Sequence, residues 1–371
     1  MRLLSIGVCL AVCAAAAIAQ PHHWSIEEAN SWYARQPWPL GANFIPSVAA
    51  SPIEMWQPET FNSGMIEREL GMAQSVGMNA VRVFLNYLVW QRDPAGYQKR
   101  ISAFLRIADR HQIRTMFVLF DSCWDPFPEL GPQRPPLPGI HNSRWGQSPG
   151  MRALYDEKHV NDLMDYVHDV IFAFAKDKRV LAWDLWNEPD NTNQGSYGTS
   201  EAADKVQRVT ALMPRVFEFA RASMPDQPLT CGLWQGDWSS PDKLTPLEKI
   251  QIENSDVISF HNYGKPDEFE KRLGWLQVYH RPILLTEYMA RPVGSTLQAI
   301  LPLAKKAKVG AFNWGLVAGK TQTYLPWDSW QHPYTDRQPD VWFHDLFRAN
   351  GQPYSRDEVE FLKSIAPPPL R

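Results

Sequence analysis

Residues 181–191 read LAWDLWNEPDN. An apolar run carries the adjacent pair Asn187 and Glu188 to its C-terminal edge, and Pro189 stops it there. Proline disfavours the helical region for the residue before it, so Glu188 is expected to stay extended. A carboxyl held at a strand end, beside an amide and close to two tryptophans, suits an active-site acid.

Working outward, runs of the same kind recur at residues 40–47, 79–87, 113–120, 228–234, 256–264, 282–288 and 310–316. With 180–189 they make eight apolar segments. Between them lie stretches with helical spacing of apolar residues, at 61–77, 98–112, 157–176, 201–223, 246–253, 266–280 and 295–308, and a last one at 357–365. Near-continuous apolar strands belong to a parallel sheet covered on both faces. Eight strand–helix units in a chain of 371 residues favour closure into a (β/α)8 TIM barrel, a single α/β domain. The alternative, a doubly wound open sheet, would usually carry a glycine-rich phosphate loop, and neither GxGxxG nor GxxxxGK[ST] occurs. Residues 21–39 read as an irregular aromatic segment. Residues 122–152, rich in Pro, Gly and Trp, read as a long loop laid over one end of the fold, a length that argues for function.

Composition narrows the function classes. A formal net charge of −3 without long charge runs favours neither nucleic acid nor an anionic membrane surface. Sixteen tryptophans are a surplus of the kind that marks stacking sites for sugar rings, although burial accounts for part of it. Residues 1–19 have a charged start (Arg2), an apolar centre and a small-x-small end at Ala17-Ile18-Ala19, which reads as a signal peptide cut before Gln20. Residues 20–371 are then the barrel domain, expected to be secreted or periplasmic, free of the membrane and monomeric. A lipoprotein reading through Cys13 fits poorly, because Val12 precedes it. Cys123 and Cys231 remain, each at the end of a different apolar run, and are expected as two separate thiols. No CxxC, HExxH or other metal-ligand spacing appears, so no cofactor is expected.

Active sites of such barrels sit at the C-terminal ends of the strands. Those ends hold Arg82 and Asn86, Asp121, Asn187 with Glu188, Trp234, His261 with Tyr263, Glu287 with Tyr288, and Trp314. Glu188 and Glu287 are the two glutamates so placed. Two carboxyls flanking one bond are what glycoside hydrolysis needs. Each residue also has a plainer reading: a strand-end ion pair for Glu188, a structural pair between Arg82 and Glu287, core packing for His261, Tyr263 and Trp314. Asp184 has no assigned role.

Trp186-Asn187-Glu188-Pro189, His261-x-Tyr263, Thr286-Glu287-Tyr288 and Trp314, in that order on successive strands, resemble glycoside hydrolase family 5, the cellulase and mannanase family within clan A of retaining glycosidases. The resemblance runs from about Gly41 to about Lys320. It implies Glu188 as general acid/base and Glu287 as nucleophile, with Asn187 on the sugar 2-hydroxyl. It further implies Arg82 keeping Glu287 ionised, His261 tuning the acid, Tyr263 contacting Glu287, and Trp314 as the sugar platform, followed by a non-proline cis peptide. His261 and Tyr263, two residues apart, point to one side of a strand. The chain departs from the family in having no histidine after the third strand, where Asp121 or Trp124 would fill the space. Trp124, Trp145, Trp234, Trp238, Trp327 and Trp330 are each open between a sugar subsite and loop packing. Residues 315–330, GLVAGKTQTYLPWDSW, are expected to cap the cleft.

The reading that follows is a retaining β-glycoside hydrolase acting on a β-glucan, mannan or xylan-like carbohydrate without a metal. Endo action is the first expectation and exo action the alternative. A catalytically silent carbohydrate-binding barrel would lack one carboxylate. An aldolase-type barrel would want a strand-end lysine, which Lys320 alone does not supply.

Overall fold

The structure is a computed structural model that describes residues 21–368; the expected signal segment, with Cys9 and Cys13, lies outside the described residues. Eight strands form one sheet: β1 (Leu40–Asn43), β2 (Ala80–Phe84), β3 (Arg114–Asp121), β4 (Val180–Asn187), β5 (Leu229–Thr230), β6 (Ile258–His261), β7 (Ile283–Tyr288) and β8 (Gly310–Asn313). All seven pairings between neighbours are parallel, in the order β5-β4-β3-β2-β1-β8-β7-β6. Just beyond β5, Leu233 pairs with Phe260 on β6 and closes the circle. The expected (β/α)8 barrel is therefore the observed fold.

Except for β3, the strands are shorter than their apolar runs, β5 most of all. Pro228 offers no N–H at its start. The Cys231 amide donates to the Ser255 hydroxyl instead of to a ladder partner. Seven helices cross between strands, the longest being Lys205–Ala222, and Arg356–Ile365 follows the last strand.

One segment differs from expectation. Residues 21–39 contain a helix, Ile26–Ala34, started by a capping box between Ser25 and Glu28. Its Trp32, with Trp24 and Tyr33, packs on Met116, Leu181, Leu284 and Phe312 near the strand starts. The helix plugs the bottom of the barrel, and burying a side chain like Trp32 contributes about 2–3 kcal/mol. The bottom is thus closed by packing, which leaves the opposite rim for polar groups. The shorter helices Pro52–Trp56, Tyr87–Arg92 and Met151–Leu154 were not expected either. Asn86 caps the second of them through Leu88, so it serves that helix and does not line the cleft.

Candidate active site

Arg82 frames the site. It points into the barrel from β2, is fully buried, and uses every guanidinium N–H. Nε and Nη2 donate to Asp184 Oδ2 at 3.0 and 2.8 Å, and Nη2 also to Asn187 Oδ1 at 2.7 Å. Nη1 donates to Asn43 Oδ1 and Glu287 Oε1, both at 2.8 Å. A buried charge must be paired, and Asp184, two residues before Trp186, is the second carboxylate that pairs it. Asp184 thereby gains the role its sequence position did not reveal: it holds Arg82 so that one fork faces Glu287 and Asn187.

Glu287 is the penultimate residue of β7 and receives two donors, Arg82 Nη1 and the Tyr263 hydroxyl at 2.7 Å from Oε2. Glu188 lies one residue past β4 and is not extended: its φ is +42°. Pro189 disfavours the right-handed helical region for Glu188 but leaves the left-handed one open. A turn closed by Asn191 N–H to Glu188 C=O, at 2.9 Å, sends the chain over the rim there. Holding a non-glycine residue in this region costs about 1–3 kcal/mol, a strain typical of functional positions. The Glu188 carboxyl sits 2.9 Å from His261 Nδ1, 2.7 Å from Asn191 Nδ2 and 3.2 Å from Cys123 Sγ. One oxygen of each carboxyl and a ring nitrogen of His261 lie within 4.8 Å of one another. This is also the one cluster with metal-like spacing among the described residues, but Arg82 already occupies the cation's place beside Glu287.

The two carboxyls differ electrostatically. Burial pushes Glu188 up to about 7, opposed by the neutral donors Cys123 and Asn191. Burial also raises Glu287, and His261 and Arg82 oppose it. Burial lowers His261 to about 4, so at neutral pH the cation acting on Glu287 is Arg82. The pair is therefore split into a carboxyl that holds its proton near neutrality and one whose ionised form is directly paired.

An open cleft of about 890 Å³ lies over these groups. Asp121, Trp124, Asn187, Glu188, Trp234, His261, Tyr263, Glu287 and Trp314 all line it, and Arg82 sits beneath. Asp121 accepts from Asn187 Nδ2 at 3.0 Å and from Trp145 Nε1 at 2.6 Å. Trp124 stacks on Trp330, and Trp234 donates to Asp190 Oδ1 at 2.6 Å. Trp145, Trp327 and Trp330 also reach the cleft. Trp238 does not; it packs in the core on Phe260 and donates to Glu248. Trp314–Gly315 is not a cis peptide, and the cis bond among the described residues is Ser148–Pro149. Gly315 instead turns the chain with φ +79°, where a Cβ would lie 2.6 Å from Asp345 Oδ1. Cys123 and Cys231 are separate buried thiols, as expected.

Three cleft residues had no signal in the sequence. Cys123 and His141 come from the loop after β3, and Asn191 from the loop after β4; none belongs to a periodic pattern. Burial keeps the Cys123 thiol protonated and so a donor to Glu188. Removing that donor in Cys123→Ala is expected to raise Glu188 further and to carry the alkaline limb of kcat/KM up by as much as about one pH unit. A limb that stays put or moves down would show that the thiol does not donate.

The cellulase (glycosyl hydrolase family 5) model matches residues 137–331. No curated protein matched the sequence. Among solved structures, the exo-β-1,4-mannosidase Op5Man5 from Opitutaceae bacterium strain TAV5 is 18% identical, with a TM-score of 0.57, over 88% of this chain and 59% of that one. The chain thus spans less than two thirds of that mannosidase. GH5_18 from Streptomyces cattleya, in complex with GlcNAc, is 16% identical over 90% of this chain and 82% of that one, with a TM-score of 0.60. The endo-β-1,4-mannanase from Thermotoga petrophila is 13% identical over 90% and 77%, with a TM-score of 0.54. At these identities the likeness is one of fold. The family match covers more than half of the chain, and on that ground the protein belongs to glycosyl hydrolase family 5.

Proposed function

We propose that the protein is a retaining β-glycoside hydrolase in which Glu188 is the general acid/base and Glu287 the nucleophile. The observation that carries this reading is the pair of carboxyls with oxygens within 4.8 Å, one beside a cation and one without. Retaining enzymes need a separation of about 5–5.5 Å, whereas inverting ones need about 6.5–9.5 Å to admit a water. Protonated Glu188 gives its proton to the glycosidic oxygen as Glu287 attacks the anomeric carbon. The leaving sugar departs with that proton and a glycosyl ester forms on Glu287. Esterification removes the Glu287 charge, so Glu188, now ionised, takes a proton from water. The resulting hydroxide attacks the same carbon, and Glu287 is released. Asn187, oriented by Arg82 and Asp121, is placed to hold the sugar 2-hydroxyl.

A β-mannoside is the first substrate to test, because several similar folds are named as mannosidases or mannanases. A silent binding barrel is disfavoured, since both carboxyls are present with split surroundings. All the site residues come from one chain, so the reading needs no second copy. Export is proposed from residues 1–19 and is checked by N-terminal sequencing of protein recovered outside the cytoplasm. No helix among the described residues is long and apolar enough to cross a membrane.

Trapping tests the assignment. A 2-deoxy-2-fluoro-glycosyl fluoride is expected to inactivate the enzyme and add one glycosyl group to Glu287. A label on any other residue of an active preparation would sink the nucleophile assignment. A screen of aryl glycosides and polysaccharides identifies the sugar.

A further inference from the structure

We infer that the cleft holds a single sugar on the glycone side, so that the enzyme removes one residue at a time from the non-reducing end of its substrate. This rests on the proposed glycosidase reading and decides its mode of action.

The direction of the substrate follows from the chemistry. The acid must reach the leaving oxygen, so the leaving group lies on the side of Glu188 from which the cleft continues. From Glu188 the cleft lining continues past Asp190, which accepts from Trp234 Nε1 at 2.6 Å and Gln235 Nε2 at 2.9 Å, to Arg272. The sugar being transferred lies on the other side, against Trp314 and Asn187.

That other side is closed. In the sheet, β2 and β1 lie between β3 and β8, so hydrogen bonds between the loop after β3 and the segment after β8 bridge that side of the rim. Several links do so. Asn142 N–H donates to Thr321 C=O at 2.8 Å, Tyr334 N–H to Gly139 C=O at 2.9 Å, and Trp330 Nε1 to His141 C=O at 2.9 Å. Gln322 Nε2 donates to Leu137 C=O at 2.7 Å and Ile140 C=O at 3.0 Å. The loop after β1 joins them: Gln57 and Gly131 exchange two hydrogen bonds, at 3.0 and 2.6 Å. Among the described residues, none from the loops after β1 and β2 reaches the cleft. Beneath the strap, Trp145, Trp314 and Phe84 pack with ring centroids 5.1–5.7 Å apart. The space left behind them is about 20 Å³, room for about one water and far too little for a sugar ring. A second sugar cannot enter there. Trp145 is the wall itself, 2% exposed and held by its bond to Asp121.

The test compares 4-nitrophenyl β-mannoside with 4-nitrophenyl β-mannobioside on the full chain, using the glucose pair if neither mannose compound is cleaved. Nitrophenol is expected from the monoglycoside at once. From the bioside it should appear only after a lag, with the free monosaccharide formed first. Immediate nitrophenol release together with intact disaccharide would overturn the proposal, as would initial attack at the reducing end of an end-labelled oligosaccharide. Inactivity on every compound of both pairs and on every glycoside of the wider screen would overturn the glycosidase reading and this proposal with it. In Trp145→Ala, checked to be folded at the assay temperature, the share of direct nitrophenol release from the bioside is expected to rise at least about tenfold, an effect of about 1.4 kcal/mol. A folded variant that still shows only the lag would remove Trp145 from the wall.

Discussion

Glu287→Ala is expected to lower kcat/KM by at least about 10⁴-fold on every substrate, as loss of a covalent nucleophile does. The fold should survive the change. Arg82 keeps Asp184, Asn43 and Asn187 as partners, so its buried charge is not stranded. What is lost is the atom that forms the bond to the sugar. Adding azide supplies an external nucleophile on the face that Glu287 vacates, and the product should be the α-glycosyl azide of a β-glycoside. The decisive readings are kcat/KM, the melting profile and the configuration of the azide product. A folded variant retaining more than about a hundredth of wild-type activity would refute the assignment.

Glu188→Ala should behave differently, because its role depends on the leaving group. General acid catalysis contributes about 10²–10⁴-fold, and only where the departing oxygen needs a proton. Hydrolysis of an unactivated oligosaccharide is therefore expected to fall by that factor. A dinitrophenyl glycoside should still form the glycosyl ester at close to the wild-type rate and then accumulate it, since no base remains to activate water. Here azide should give the β-glycosyl azide. The pH profile offers a second check. Burial holds Glu188 up to about 7, so wild-type activity is lost as pH rises through about 7 and the acid form disappears. In the variant that alkaline limb should vanish. An equal loss on good and poor leaving groups, with the limb retained, would give the acid role to another residue.

The raised Glu188 also carries a cost in stability. Its folded-state value lies above the ordinary carboxyl range, so its contribution is fully present below that ordinary range and declines as pH climbs through about 7. The group proposed for the acid step thus opposes folding at alkaline pH, as expected of a site held in a strained turn.

The eight parallel strands, their order along the chain and the helices between them were legible in residues 40–316, because apolar periodicity and parallel-sheet burial are properties of neighbouring residues. So was the pairing of Glu188 with Glu287, from their places at the ends of β4 and β7. The helix Ile26–Ala34 was missed because its apolar face is mostly Trp and Tyr, yet the Ser25 and Glu28 capping box marks its start. The positive φ of Glu188 was missed because proline's restriction on its neighbour argues against one helical region without choosing among the others. Asp184, Cys123 and Asn191 acquire their roles from residues 65 to 102 positions away or from a turn, and no local pattern encodes such contacts.

The order of residues along the chain was enough to settle that this is a barrel and which two carboxyls meet on its rim, since strand period and strand end are read from adjacent positions. Three things needed the folded chain: which carboxyl stands beside the cation, how Arg82 divides its five donors, and where the loops after β1, β3 and β8 lock together. Each depends on distances between segments far apart in sequence, set by closure of the sheet and by burial. On those distances rest the proposed roles of Glu188 as acid and Glu287 as nucleophile, and the proposed closure of one end of the cleft.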